Sequence, residues 1–547
     1  MEEGYFSLLW ENEESYREWI GSLYARDKEY IADLNLRLVY EEIVLAGRFG
    51  EQYGFEEVFL HPCARASTVL FRQEIMTQLG EDPLLYGAAL DFVSCISETE
   101  ARLERIKGTA TVSPAAAEGH TAAEGTVGDV KKKMISVLQV RYGFLKGLLS
   151  ICEKLCGYIK KGTPLAECAE RLESFICDHR AVSEREELAA FLSALDGAMP
   201  HSIVLNKDRE QSCRSTVMDP CAAKTCEYTE RLTELAEPFV GQYDFRIRVY
   251  QNTDISSLDK KIQDRVCLHQ PRLFRELEDL YEKYGSYDIS CFVRIAKELV
   301  FYLASLRFVR RYQEAGFFFS MPSLAPAQAT SVMDAYDMTL GINLYRNHKG
   351  CRAVPNDYSF GGNRRVFILT GANQGGKTTF VRSIGLIQCM AQVGMPVPCR
   401  RASLSMAGQI HTHFSREDER GAVVGRFEQE LQRIHEILKN LQDGDMVLLN
   451  ETFTSTQRST AVILLRRLLM EIERRRCCGG LVTHFYEVCD GLEGDGFYSL
   501  VTEVEGEGEC KERTYKIREG ESFRYSYAKD IAVKCGVTYG KLTEGMG

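Results

Sequence analysis

Three features are missing from this 547-residue sequence, and each absence excludes a class of protein. No run of about 18 apolar residues is present, so we expect no membrane-spanning helix. The first residues, Met1 to Phe6, lack the basic-then-apolar order of a secretory signal peptide. An excess of basic residues is also absent: the net charge is -11, whereas a protein that wraps nucleic acid over its whole surface is basic. Any contact with nucleic acid must therefore be local.

Cysteine pairs at metal-binding spacing are absent as well. The chain has 19 cysteines, an odd number scattered along the sequence, and no C-x-x-C pair. Cys213, Cys221 and Cys226 cluster, but a zinc knuckle needs closer pairs. Free, mostly buried thiols are the favoured interpretation over a metal site, since free cysteine packs as a small hydrophobe. Despite the high count, the scattered positions and the odd total predict a cytoplasmic protein with reduced thiols.

Length and patterning predict several domains. A chain of this size is too long for one core, and two to four domains are expected. Residues 1–107 and 131–327 show mainly helical periodicity, and the Gly-, Ala- and Thr-rich segment 108–130 between them indicates a linker. In residues 328–547 strands alternate with helices, a pattern typical of a parallel sheet covered on both faces.

A glycine-rich segment lies between a predicted strand and a predicted helix. Residues 371–378 read GANQGGKT, which fits the phosphate-binding pattern G-x-x-x-x-G-K-[ST]. The apolar run 366–370 predicts a buried strand, and apolar residues at helical spacing follow the loop. Glycines let such a loop wrap an anion with its N–H groups pointing inward, and the helix N-terminus adds positive charge. We therefore predict an ATP site.

The loop and the first helical turn would bind the nucleotide. Lys377 would contact the outer phosphates, and Thr378 would ligate Mg²⁺. The predicted nucleotide-binding residues are Gly371, Ala372, Asn373, Gln374, Gly375, Gly376, Lys377, Thr378 and Thr379.

Two further predicted strands end in polar residues. The apolar segment MVLL is followed by Asn450 and Glu451, where P-loop enzymes carry a carboxylate for Mg²⁺ and a carboxylate that activates water. We predict that Asn450 is a residue of the metal site and that Glu451 is the general base. The segment GLVT ends at His484, which would reach the same sheet edge. An isolated histidine there is more often structural, but its place beside Lys377 and Glu451 favours a catalytic role for all three.

Several segments, in the right order, resemble the ATPase domain of the MutS DNA mismatch-repair family. They are residues 354–357 (VPND), 370–379 (TGANQGGKTT), 425–430 (GRFEQE), 449–451 (LNE), 483–487 (THFYE) and 526–532 (SYAKDIA). The helical part is more weakly similar to the family's connector and lever domains, with residues 68–73 as the best match.

The resemblance implies an α/β fold: a P-loop ABC-type ATPase domain preceded by a long, mainly α-helical lever and connector region. It implies ATP and Mg²⁺ as cofactors and a homodimer, or a heterodimer with a related protein. Each subunit would complete its neighbour's site through residues 418–430. ATP binding would drive a clamp around DNA through the helical levers, without a membrane.

The sequence departs from the family pattern at four places. Asn450 replaces an aspartate, Gly425 a serine and Ala353 an aromatic residue, and TFTST at 452–456 replaces a glycine-rich turn. A carboxylate about 4 Å from Mg²⁺ contributes several kcal/mol at an effective dielectric constant of about 20. Asparagine keeps the oxygen and loses that charge. ATP binding is therefore better supported than fast hydrolysis.

The family's mismatch-reading domain, with its Phe-x-Glu wedge, is expected to be absent. Residues 55–57 (FEE) fit the pattern, but so do residues 485–487 (FYE), so the pattern is too short to carry the assignment. Two functions stay open: a DNA-binding ATPase clamp, and a nucleotide-gated dimeric scaffold that hydrolyses ATP poorly. A chromosome or recombination ATPase is disfavoured because no long coiled coil fits between Lys377 and Asn450.

Overall fold

The structure is a computed structural model that describes most of the chain. It describes residues 6–23, 28–49, 54–108, 127–158, 163–178, 180–198, 202–207, 213–219, 271–326, 329–350, 352–371, 374–415, 425–490, 492, 496–505 and 512–520. Ala372 and Asn373 of the loop, most of the predicted linker and the segment 526–532 lie outside these ranges.

Contacts divide the chain into two compact units. Unit 1 comprises Met1–Tyr86, Gly162–Leu165 and Lys297–Gly547, and unit 2 comprises Gly87–Lys161 and Ala166–Ala296. The N-terminal helices thus group with the C-terminal region. The domain boundaries predicted at residues 107, 130 and 327 stay predictions.

The described helices and strands are numbered in chain order. The helices are α1 (Glu13–Leu23), α2 (Glu29–Asp33), α3 (Leu36–Gly47), α4 (Glu56–Leu60), α5 (Ala66–Glu81), α6 (Pro83–Gly108), α7 (Val127–Tyr158), α8 (Pro164–Asp178), α9 (Ala181–Ala198), α10 (Pro271–Tyr284), α11 (Ser290–Glu314), α12 (Met338–Arg346), α13 (Lys377–Val393), α14 (Arg426–Asn440) and α15 (Arg458–Arg474). The strands are β1 (Ser202–Lys207), β2 (Cys213–Asp219), β3 (Ser323–Leu324), β4 (Ala329–Ala335), β5 (Asn356–Gly361), β6 (Val366–Thr370), β7 (Arg401–Leu404), β8 (Ile410–Phe414), β9 (Met446–Asn450), β10 (Cys478–Val482), β11 (Phe497–Glu505) and β12 (Glu512–Glu519).

The main sheet of unit 1 has six strands in the order β12-β11-β6-β10-β9-β8. All neighbouring pairs are parallel except β11 and β12. Every residue of β6, β8, β9 and β10 is buried, as expected for parallel strands covered on both faces. The predicted strand before the loop and the predicted helix after it are both present, as β6 and α13.

Helices α14 and α15 cover one face of this sheet. Leu465 and Leu469 of α15 pack with Val447 and Leu481 in one apolar cluster. On α14 the buried positions are Glu430, Ile434 and Ile437. The residues Phe427, Leu431, Ile434, Leu438 and Leu441 recur at spacings of four and three, which predicts one apolar stripe. Leu431 is 37% exposed, so this prediction is wrong at that position.

A second sheet has four strands in the order β3-β7-β4-β5, with β4 antiparallel to both β5 and β7. The prediction of a single parallel sheet from residue 328 onward is wrong in this part. Burial alternates along most of β4, which is the signature of a strand with one solvated face.

The N-terminal helices of unit 1 pack directly on the strands of the main sheet. Helix α2 contacts β8. The side chain of Leu34, at the end of α2, approaches α13 so closely that a Cβ on Gly385 would lie 2.6 Å from its Cδ2 atom. Gly385 is therefore required by packing, not by backbone conformation.

Unit 2 consists mainly of helices, with one antiparallel pair of strands, β1 and β2. The prediction that residues 131–327 are helical is wrong there, because the segments SIVLNK and CRSTVMD contain β-branched residues that favour strands. Arg141 and Glu184 form a buried two-bond ion pair, with distances of 2.6 and 3.1 Å. The pair neutralises two charges inside the unit.

Helix α7 contains a stretch, Val130–Leu155, long and apolar enough by length and composition to cross a membrane. Of its most apolar window, 61% is buried inside the protein, as in a core helix. The expected absence of a membrane span stays a prediction. The nine cysteines with described side chains are free thiols, and within the described ranges no group of three or more His, Cys, Asp or Glu residues could hold a metal ion. Cys221, Cys226 and the Cys213 side chain lie outside the described part.

Candidate nucleotide site at the carboxyl edge of the main sheet

The glycine-rich loop connects β6 to α13 through backbone conformations that favour glycine. Gly371 has φ of 140°, and a Cβ there would lie 2.1 Å from Thr502 Oγ1 of β11. Gly376 has φ of 89° and is the residue before α13. Both positions thus need glycine, and they bring the first turn of α13 to the end of β6 with its N–H groups unpaired by the helix.

Lys377 begins α13 and is buried. Its Nζ atom donates a hydrogen bond to the Gly371 carbonyl oxygen at 2.9 Å and lies 3.9 Å from Glu451 Oε1. Burial lowers the pKa of the Lys377 ammonium, and the Glu451 carboxylate opposes part of that shift. A buried cation at a helix N-terminus is electrostatically disfavoured, which suits a residue whose partner is an anion.

Thr378 and Asn450 come together from α13 and the end of β9. Thr378 Oγ1 donates a hydrogen bond to Asn450 Oδ1 at 3.2 Å. Oxygen ligands are what Mg²⁺ takes in proteins, so the donor set fits this ion. Both oxygens are neutral, so the pair offers no charge to the ion.

Glu451 and His484 follow the ends of two neighbouring strands, β9 and β10. The Glu451 N–H donates to the Val482 carbonyl at 2.9 Å, which ties the two strand ends together. Glu451 Oε2 accepts a hydrogen bond from His484 Nδ1 at 2.8 Å. Glu451 therefore has one carboxylate oxygen toward His484 and the other toward Lys377. The side chains of Glu451 and His484 remain partly accessible to solvent.

A cavity of about 550 Å³ opens beside these residues, with Gln374, Gly376, Lys377, Thr378, Thr379 and Glu451 in its wall. Its other side is formed by α12 and the segment before β5, which contribute Leu340, Leu344, Arg352 and Val354. A volume of this size matches small-molecule sites. Ala353, the position at which the sequence departs from an aromatic residue, is not in the wall, whereas its two neighbours are.

Tyr515 of β12 is a wall residue that the sequence did not indicate. It is 47% exposed, has φ of 58°, and its Cδ1 atom would lie 3.5 Å from a Cβ on Gly376. The Asn356 side chain donates to the Tyr515 carbonyl at 3.1 Å and accepts from the Ile517 N–H at 2.8 Å. Asn356 belongs to the VPND segment, so the signal was present, but its partner lies on a strand far along the chain.

The elements on either side of residues 416–424, a segment outside the described ranges, are fixed by Asp33 of α2. Its carboxylate accepts hydrogen bonds from Thr412 Oγ1 at 2.8 Å and the Phe414 N–H at 3.2 Å, both on β8. It also accepts from Arg433 Nη2 of α14. The predicted contact region 418–430 is thus described only from Gly425 onward, where Gly425 precedes α14.

Comparison with known proteins agrees with this architecture. The model of the MutS domain V family matches residues 367–538. The DNA mismatch repair protein MutS of Thermotoga petrophila is 30% identical over 188 residues, or 34% of this chain and 23% of the relative. That of Clostridium botulinum strain Hall is 31% identical over 150 residues, 26% of this chain and 16% of the relative. Endonuclease MutS2 of Carboxydothermus hydrogenoformans is 27% identical over 215 residues, 37% of this chain and 27% of the relative.

The matched part covers little more than a quarter of each of these relatives at most. The MutS domain V match includes β6 from Phe367, the first helix after the loop, and the ends of β9 and β10 that precede Glu451 and His484. Through residues 367–538, the chain is similar to the MutS family.

Proposed function

We propose that the chain is a Mg²⁺-dependent ATPase that works as a dimer on DNA. The observation that carries the proposal is that Lys377, Thr378 and Glu451 line one cavity, while His484 is hydrogen-bonded to Glu451. Phosphate-binding lysine, base and orienting histidine in this arrangement are what ATP cleavage by water requires.

The proposed roles follow from the contacts. Lys377 exchanges its bond to the Gly371 carbonyl for the outer phosphates of ATP, since a phosphate at the helix N-terminus meets both the cation and the free N–H groups. Glu451 orients the attacking water and accepts its proton, while His484 holds the carboxylate through Oε2. Thr378 and Asn450 would hold Mg²⁺, which supplies positive charge to the phosphate oxygens.

The far wall of the cavity supports binding of a base. Leu340 and Leu344 offer an apolar surface, and Tyr515 offers an aromatic face beside Gly376. The Arg352 guanidinium in the same wall can stack on a flat ring. These residues supply the apolar contact that the missing aromatic at Ala353 would give.

Dimerisation and DNA binding rest on the family relationship. Two of the relatives are named as DNA mismatch repair proteins, and the third is named as an endonuclease. The ABC-type dimer, in which the region around Gly425 reaches the neighbour's nucleotide, is consistent with the fixed position of α14 beside β8. The type of DNA and the partner stay open in this proposal.

A nucleotide-gated scaffold that binds ATP and cleaves it poorly is the second candidate. The observation that favours it is the neutral Thr378–Asn450 pair, because an aspartate in place of Asn450 would attract Mg²⁺ by several kcal/mol at an effective dielectric constant of about 20. Loss of that charge weakens the binding of Mg²⁺ more than it weakens the binding of the nucleotide.

Single-turnover ATP cleavage with Mg²⁺ separates the two candidates. We expect measurable cleavage by the wild type, and cleavage at least about 100-fold slower by Glu451→Gln with unchanged ATP affinity. Glu436→Gln, an exposed glutamate of α14, is the matched control and should behave as the wild type. ATP binding without cleavage by the wild type would establish the scaffold, and absence of ATP binding would reject both candidates.

The DNA and dimer parts need separate measurements. Sedimentation with and without ATP should show conversion of monomer to dimer. Gel-shift titrations with duplex, branched and single-stranded DNA at two salt concentrations should show affinity that falls steeply with salt, because phosphate contacts release counterions. Absence of binding to all three DNA forms would reject the clamp.

A further inference from the structure

The turn that carries Glu451 is held in an unusual backbone conformation. Glu451 has φ of 53° and Phe453 has φ of 61°, so two non-glycine residues, separated only by Thr452, adopt left-handed φ values. Such conformations are sparsely populated and persist only where the surroundings hold them. In this chain the turn reads ETFTST, with no glycine to adopt the conformation at low cost.

The contacts that hold the turn come from three directions. The Glu451 N–H is bonded to the Val482 carbonyl. The Phe453 ring is buried and lies edge-on to Phe427 of α14, with ring centroids 6.0 Å apart. Ser455 Oγ donates to Glu430 Oε2 of α14 at 2.8 Å. Both ends of the turn are thus fixed to neighbouring elements.

Thr452, between the two left-handed residues, is fixed by a buried side chain. Its Oγ1 atom lies 3.0 Å from Nδ1 of His413, a hydrogen-bonding distance, and both residues are almost completely buried. His413 belongs to β8, where it pairs in register with Leu449 of β9. The bond therefore joins the edge strand to the residue directly after Glu451.

We propose that the Thr452–His413 hydrogen bond sets the direction of the Glu451 carboxylate toward Lys377 and His484. Rotation about the backbone at Thr452 would release the turn and move the Glu451 side chain away from the cavity. Thr452 and His413 are positioning residues in this account, since neither lines the cavity. The inference rests on the proposed ATPase function and deepens it.

The test uses three variants of the full chain. Thr452→Val removes the hydroxyl and keeps the side-chain shape, and Thr452→Ser keeps the hydroxyl. Thr330→Val is the matched control, because Thr330 is another buried threonine whose Oγ1 is bonded, at 2.9 Å to Ser405 Oγ. It lies at the opposite end of β4 from Ala335, which is the residue of that strand in the cavity wall. Each variant is measured for single-turnover ATP cleavage, ATP dissociation constant and melting temperature.

We expect Thr452→Val to slow cleavage by about 10-fold or more with an ATP dissociation constant within about 3-fold of the wild type. Thr452→Ser should restore the rate to within about 3-fold. Thr330→Val should lower the melting temperature without slowing cleavage. An unchanged rate in Thr452→Val, or equal slowing in Thr330→Val, would overturn the proposal.

A double-mutant cycle with Glu451→Gln provides a readout that a merely structural role would not move. If Thr452 acts through the carboxylate, Thr452→Val has no further effect on the residual rate of Glu451→Gln. Equal slowing in both backgrounds would overturn the proposal and leave the ATPase function standing. A wild type that binds ATP without cleaving it would overturn both, so the two failures are distinguishable.

Discussion

A buried cation lies at each end of helix α13, and the electrostatic environments of the two cations are opposite. At the N-terminal end Lys377 is buried at the positive pole of the helix dipole. At the C-terminal end the Arg72 guanidinium of α5, also buried, donates to the Val393 carbonyl at 3.4 Å and to the Leu9 carbonyl at 2.9 Å. It lies 4.3 Å from the centre of the Trp10 ring. The Arg72 charge interacts favourably with the negative end of the helix dipole, whereas the Lys377 charge interacts unfavourably with the positive end.

The difference separates stability from function. Arg72 has carbonyl acceptors, an aromatic face and the negative end of a helix, although burial lowers its pKa too and its Nη2 atom has no hydrogen-bond partner within the described part of the chain. Lys377 donates to the Gly371 carbonyl, lies 3.9 Å from the Glu451 carboxylate and begins its helix at the positive end of the dipole, and burial lowers its pKa. In the proposed function, the phosphates of ATP would supply an anion beside this cation.

The largest expected effect is that of Lys377→Met on function. We expect single-turnover ATP cleavage to fall by about 1,000-fold, or about 4 kcal/mol, because the buried cation that meets the phosphates is removed. The melting temperature without nucleotide should stay the same or rise. Lys439→Met, at an exposed lysine of α14, is the control and should change neither quantity. A Lys377→Met variant that loses stability but keeps its rate would reverse the comparison.

Arg72→Met should have the opposite profile. We expect a loss of about 2–4 kcal/mol in the free energy of unfolding, because the Leu9 and Val393 carbonyls lose a charged donor inside the protein. The chain has two tryptophans, Trp10 and Trp19, whose ring centroids lie 4.7 Å apart, so their fluorescence reports on this site during a thermal melt.

Arg65→Met is the control for Arg72→Met. Arg65 directly precedes α5, the helix that contains Arg72, and it is partly exposed and pairs with Glu18. This substitution should cost less than about 1 kcal/mol. Comparable losses in the two variants would show that Arg72 contributes as a surface charge would, and the contrast between the helix ends would then fail.

Gln392→Leu tests the same C-terminal end of α13, with a smaller expected loss in the free energy of unfolding. The Gln392 amide nitrogen donates to the Cys63 carbonyl at 2.9 Å and the Ala407 carbonyl at 3.0 Å, and its oxygen accepts from the Ala407 N–H at 3.0 Å. Removal leaves buried groups without this partner and should cost about 1–3 kcal/mol. The melting temperature measures it. A neutral effect would mean that the segment around Cys63 contributes little to holding α13.

The smallest expected effect is a pH dependence at the Lys377 end. Its pKa in the folded protein lies below the ordinary value of 10.5, so between the two values the unfolded chain binds more protons and stability rises with pH. In phosphate-free buffer the melting temperature of the wild type should therefore gain on that of Lys377→Met as the pH rises toward 10.5. A difference that stays constant or widens in favour of the variant would contradict a lowered pKa.

Local pattern was sufficient for the phosphate end of the site. The order of strand, glycine-rich loop and helix predicted β6 and α13, and apolar runs predicted the strands that precede Glu451 and His484. The catalytic and binding roles of these residues remain predictions. The sequence was less informative where burial alternates, as in β4, because alternation identifies a strand without its sheet.

The sequence alone determined the segments whose conformation depends on neighbours a few residues away: buried strands, the helix after the loop, and glycines at Gly371 and Gly376. Only the tertiary structure decided which distant groups meet there. Arg72 reaches Val393, Asn356 holds Tyr515, and His413 reaches Thr452. The physical reason is that these contacts depend on how helices and strands pack, and no periodicity along the chain specifies the partner of a buried polar atom.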